Sequence, residues 1–189
     1  MIRSPRFGFF VASVVVVSMM GILCLRNSGA QEQKRPTLPL PEMQRLAKAY
    51  VGTWSYTETY PKSAMMPEGG VNTGVYTSEL GPGGNSIFNR FHSKGPVGDF
   101  EGAIVMTWDA KEKAYKAFVF GGDFPGAIVQ SGQFEGDSLV YRSELTMGTR
   151  KIAMRNVTNF SDGKIISEQY SSVNGGPEAL LVRVEAVKK

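Results

Sequence analysis

The two side chains most used for redox chemistry and metal ligation are almost missing: the 189 residues include one cysteine, Cys24, and one histidine, His92. An ordinary zinc site draws on three or four Cys, His or carboxylate ligands. A centre built on Cys and His is therefore excluded, as is a disulfide within the chain. No serine stands in a Gly-x-Ser-x-Gly elbow, and any Ser-His-Asp arrangement would have to use His92. No cofactor or metal is expected.

A basic surplus is also lacking where it would matter. The chain has 21 Lys+Arg against 17 Asp+Glu, but the first thirty residues carry three arginines and no acid. Beyond them 18 basic residues face 17 acidic ones. That balance leaves no basic stripe for nucleic acid or an anionic membrane.

The three arginines belong to a leader pattern. Arg3 and Arg6 precede an uncharged apolar run over residues 7–25, Arg26 ends it, and Ser28-Gly29-Ala30 offers small residues before a cut at Gln31. Residues 1–30 are thus expected to be a signal peptide. The alternative is an uncleaved anchor, because the run approaches the ~20 residues that span a bilayer. Leu23 before Cys24 is not the small residue that lipidation needs, so Cys24 leaves with the leader. A periplasmic or secreted location follows, with membrane contact only through an uncleaved leader. Residues 31–41, with Pro36, Pro39 and Pro41, read as a flexible tether, and residues 42–189 as one domain.

That domain starts with a short helix. Pro41 suits a helix N-terminus and Glu42 its first turn. Met43, Leu46, Ala47, Tyr50 and Val51 recur at helical spacing until Gly52. From Thr53 the period becomes two. Turn clusters fall at residues 61–70, 81–84, 95–98, 109–113, 121–126, 135–137, 147–148, 161–163 and 174–177. About ten short strands lie between them, with no room for crossover helices. A meander that long resolves its exposed edges by closing into a barrel. The expected fold is all-β: an up-and-down antiparallel barrel of about 8–10 strands.

The apolar phase of several strands carries polar groups, which suits a cavity with a few directed hydrogen bonds. Trp54 and Tyr56 are in register with Glu58. Phe100, Ile104, Met106 and Trp108 share a face, as do Ile152, Met154 and Phe160. Ile166 falls in phase with Glu168 and Tyr170. Glu58 and Glu168, each among tyrosines, are the candidate paired carboxylates, with Arg90, Arg142, Arg155 and Tyr141 as interior partners. The loop at residues 61–70 would overlie the open end, with Met65 and Met66 as a pliable lid; without a Met-x-x-Met repeat the pair does not point to copper. Phe124 tips a second Gly/Pro loop, whose glycines do not follow the strand-to-helix pattern of a phosphate cradle. Asn156-Val-Thr158 and Asn159-Phe-Ser161 match glycosylation sequons, which matter only in a eukaryotic secretory path.

A helix followed by Gly52-Thr53-Trp54 at the mouth of the first strand resembles the calycin group, which contains lipocalins and fatty-acid-binding proteins. Gly83-Gly84 through Phe91, Phe100-Glu101-Gly102, Trp108-Asp109, Lys113-x-Tyr115 and Gly132 resemble the bacterial domain of unknown function 1579 family, a lipocalin-like group. The resemblance implies a lipocalin-like barrel in a secreted setting and supplies no chemistry. In lipocalins an arginine of the last strand packs over the tryptophan. Arg183 is the residue available, in the opposite phase to Leu180, Val182 and Val184. Related small barrels hold haem through one histidine, a role only His92 is available to fill here.

Independently of family, glycine permits the sharp helix-to-strand turn, and the indole plugs the closed end while its N–H needs one acceptor. The reading is a non-catalytic exported barrel that binds a small hydrophobic molecule. Its candidate ligand-binding residues are Trp54, Tyr56, Glu58, Phe91, Phe100, Ile104, Met106, Tyr141, Met154, Glu168 and Tyr170. The alternatives are a low-reactivity isomerase, cyclase or hydrolase using interior Glu and Tyr, and a cavity-less interaction module of the envelope.

Overall fold

The computed structural model describes residues 39–63, 66–122 and 125–189. The leader, most of the tether, Met65 and Phe124 lie outside the described residues. A helix, α1 (Pro41–Tyr50), is followed by ten strands: β1 (Gly52–Tyr60), β2 (Gly70–Leu80), β3 (Ser86–Gly95), β4 (Gly98–Asp109), β5 (Ala114–Gly121), β6 (Ile128–Glu135), β7 (Ser138–Met147), β8 (Arg150–Ser161), β9 (Lys164–Val173) and β10 (Ala179–Lys188). Each pairs antiparallel with the next, and β1 closes on β10, from Trp54 opposite Lys188 to Thr59 opposite Arg183. The nine breaks read from Gly, Pro, Asn and Asp clusters are the nine interstrand connections. Closure satisfies every strand edge, as the meander argument requires.

Pro41 occupies the first turn of α1 with Glu42 beside it. The helix lies across one end of the barrel, where Met43 and Leu46 are 0% exposed among Ile87, Met106, Tyr115, Leu139 and Tyr141. Tyr115 donates its hydroxyl to the Glu42 carbonyl at 3.1 Å, which pins the helix start to β5. Gly52 turns the chain at φ 140°, and a β-carbon there would lie 2.8 Å from Lys188 Cε. The Gly-x-Trp spacing then places Trp54, 3% exposed, at the floor of the barrel. Its indole N–H donates to the Tyr50 carbonyl at 2.9 Å. The ring stacks on Tyr76, with centroids 5.9 Å apart.

The cation over the indole is not Arg183. Lys188 Nζ sits 5.6 Å from the ring centroid, while Arg183 points outward and bonds Glu168 and Glu185. The phase of β10 decides this, because Val182, Val184 and Ala186 are its inward residues.

Candidate binding cavity

The barrel interior is not packed solid. A cavity of about 320 Å3 runs from Tyr50 and Tyr76 near the helix end to Tyr60 and Ile128 at the opposite rim. Three cross-strand pairs create it, each setting an inward glycine against an inward ring. A β-carbon on Gly74 would lie 2.5 Å from Tyr56 Cζ, one on Gly102 2.6 Å from Phe91 Cζ, and one on Gly132 2.6 Å from Tyr141 Cδ1. The partners face each other in register. Each ring therefore lies flat along the wall over its glycine, and the centre stays open. Gly102 and Gly132 are two of the residues that carried the family resemblance.

Seven of the expected residues line the cavity: Tyr56, Glu58 and Phe91 from β1 and β3, Ile104 and Met106 from β4, Tyr141 from β7 and Met154 from β8. Trp54 does not line the cavity and lies beneath its floor, against Tyr50 and Tyr76, which do. Phe100 stands at the rim in contact range of Tyr60, 6.4 Å between centroids.

Glu168 and Tyr170 require correction, because both face outward. The inward residues of β9 are Ile165, Ser167 and Gln169. Ile165 and Ile166 are adjacent, so either phase looks apolar at the start of the strand. The structure selects the odd phase because β8 presents Asn156 and Thr158 to the same wall. Ser167 Oγ and Thr158 Oγ1 both donate to Asn156 Oδ1, at 2.9 and 3.0 Å. Outside, Tyr170 donates to Glu168 at 2.8 Å, Arg183 pairs with Glu168 at 2.5 Å, and Arg155 covers the Tyr170 ring at 4.4 Å. Arg155 also pairs with Glu178. The proposed carboxylate pair is thus split by the barrel wall. Arg90 and Arg142 fall in the outward phases of β3 and β7, so neither is an interior partner.

His92 is outward too. Its Nε2 lies 2.6 Å from Asp99 Oδ1, with both side chains more than half exposed. That position does not fit a haem ligand inside the barrel. An exposed pair of this kind contributes little stability.

Among the described residues, Glu58 is the one carboxylate lining the cavity. Tyr60 and Ser93 both donate to its Oε2, at 3.1 and 2.8 Å. Further in, Asn89 donates to Ser78 at 3.0 Å. Among the described residues, four buried polar atoms have no hydrogen-bond partner: Tyr56 Oη, Tyr141 Oη, Asn89 Oδ1 and Ser143 Oγ. Unpaired buried polar atoms are costly, and three of the four belong to residues that line the cavity. Tyr50, Tyr60, Tyr76, Asn89, Thr158 and Gln169 were not among the expected site residues. Asn89 had a legible signal, since it shares a phase with Ile87 and Phe91. Tyr50 had none as a cavity residue, because it reaches the interior from the helix.

The tyrosines are held protonated well into alkaline conditions. Burial raises Tyr50 to about 12. Burial and then the Glu58 charge raise Tyr56 to about 12, against a small opposing influence of Ser93, which makes no aligned bond to it. Tyr76 and Tyr141 are pushed up mainly by burial. A raised tyrosine pKa means that the unfolded chain loses the proton first. The associated stability is present below pH 10 and is lost as pH rises from 10 towards 12 and beyond. Absorbance at 295 nm should therefore show most tyrosines ionising together with the loss of far-UV dichroism. Ionisation of most tyrosines near pH 10 in the folded state would contradict this packing.

The fold and the site define a class: a closed ten-stranded antiparallel barrel, capped by a helix, with an internal cavity. No family model and no curated protein matches this chain. Among solved structures, that of Rv2717c from M. tuberculosis is similar at a TM-score of 0.60 and 8% identity, over 80% of this chain and 99% of that one. At that identity the likeness carries the fold alone.

Proposed function

We propose that this protein is an exported, lipocalin-like binding barrel that holds one small, mostly apolar molecule in its interior. The observation that carries the reading is the cavity of about 320 Å3 lined by aromatic and aliphatic side chains, with Glu58 among them and with buried, unpartnered polar atoms on Tyr56, Tyr141 and Asn89 of its wall. Pockets of roughly 300–1,000 Å3 with few placed polar groups are the usual form of small-molecule sites, so this one suits a compact ligand. Apolar burial at ~25 cal/mol per Å2 supplies most of the affinity, and the polar atoms fix orientation. Export rests on the basic, apolar and small-residue leader pattern of residues 1–30. The setting implied by the domain of unknown function 1579 resemblance agrees with it.

Native mass spectrometry of the protein, purified gently after export from a bacterial host, tests this reading. Excess mass that vanishes on denaturation is the expected result. A bare mass that persists after incubation with small apolar molecules would overturn it. The split of Glu58 from Glu168 gives a second check: Glu58→Gln should alter retention of the bound mass, whereas Glu168→Gln, on the outer wall, should leave it unchanged.

A further inference from the structure

The cavity has an uncompensated sign. Among the described residues, its lining contains one acid, Glu58, and no lysine, arginine or histidine. The groups packed around Glu58 are neutral. Tyr56 and Tyr60 flank it on β1, Asn72 opposes it on β2, Val184 opposes it on β10, and Ser93 reaches it from β3. Arg183, one register position away opposite Thr59, faces out to Glu168 and Glu185. Both donors to the carboxylate converge on Oε2. No described donor is bonded to Oε1.

We propose that the ligand is a compact amphipathic cation, a primary amine or alkylammonium, whose charged head sits at Glu58 and whose apolar body fills the cavity towards Tyr76. This deepens the binding reading and rests on it. A carboxylate in a partly desolvated pocket favours a cationic partner and opposes an anionic one, since burying like charges without a counter-ion costs far more than it does in water. Aromatic faces add to the preference, because ammonium groups bind over electron-rich rings. Tyr56, Tyr60 and Phe91 supply such faces beside the acid. A fatty-acid head would meet Glu58 with no described cation to offset it.

The test compares three probes of one length on the full chain: hexylammonium, hexan-1-ol and hexanoate, measured by calorimetry near neutral pH at fixed ionic strength. The expected order is hexylammonium tightest, by about tenfold or more over hexan-1-ol, with hexanoate weakest; a hydrogen-bonded charge contact commonly accounts for that much. Glu58→Gln should erase the order by weakening hexylammonium about tenfold while hexan-1-ol stays within about threefold, in a protein with unchanged far-UV dichroism. If hexan-1-ol or hexanoate binds the unsubstituted protein as well as hexylammonium, the cation inference is overturned and the binding barrel stands. If none of the three binds, both fall. The ranking in the unsubstituted protein decides the matter even should Glu58→Gln fail to fold.

Discussion

Replacing Trp54 with alanine should lower the unfolding free energy by about 3–5 kcal/mol, the range for truncating a buried aromatic. For a chain of this size that corresponds to a fall in Tm of roughly 10 °C or more. The expectation follows from three contacts made at once. The indole is 3% exposed, it stacks on Tyr76, and its N–H fixes the last turn of α1 through the Tyr50 carbonyl. Removing it leaves a void under the cavity floor and frees the helix that carries Met43 and Leu46 into the core. Trp54→Phe separates these effects. It keeps most of the apolar area, loses the bond to Tyr50, and should cost about 1–2 kcal/mol. Urea unfolding of the two variants measures both. A cost below about 1 kcal/mol for alanine would mean that the helix, and not the indole, closes this end.

The architecture was legible because turns are chemically explicit. Gly, Pro, Asn and Asp clusters marked every connection, and tight turns between period-two runs leave little besides an antiparallel meander. Closure followed from the edge argument alone. The site was legible only where a strand alternates cleanly. β1 does so, and Trp54, Tyr56, Glu58 and Tyr60 all fall in the inward phase. β9 does not, because Ile165 and Ile166 are adjacent and its inner wall is a polar network, while Tyr170 and Glu168 are held outside by Arg155 and Arg183. A rule that sends aromatic residues inward fails where a cation–π contact covers an aromatic ring on the surface. A cavity was expected, but what keeps it open was invisible for a different reason. It depends on glycines opposite rings across a strand pair, and register between strands is a tertiary property. Gly102 and Gly132 stood out as motif residues, but their partners Phe91 and Tyr141 lie 11 and 9 residues away in sequence.

That dependence makes Gly74→Ala the sharpest test of how the cavity is built. The added β-carbon would lie 2.4 Å from the His92 carbonyl oxygen, 2.5 Å from Tyr56 Cζ and 2.7 Å from its hydroxyl. All three are below any normal contact. The two contacts with Tyr56 are relieved if the phenol swings off the wall, into the open space of the cavity, whereas the contact with the His92 carbonyl of β3 is relieved only by local separation of β2 from β3. Overpacking of this kind costs about 1–3 kcal/mol, and occupation of the cavity by the ring should weaken ligand retention about tenfold or more. Gly122→Ala is the matched control, since its β-carbon would meet Glu101 Cγ at an ordinary 3.4 Å. A double-mutant cycle with Tyr56→Ala assigns the cost. If the ring contact is responsible, Gly74→Ala becomes markedly less destabilising once Tyr56 is truncated. If the penalty is the same in both backgrounds, the His92 backbone carries it. The glycine would then serve strand approach, and the ring would lie along the wall for some other reason.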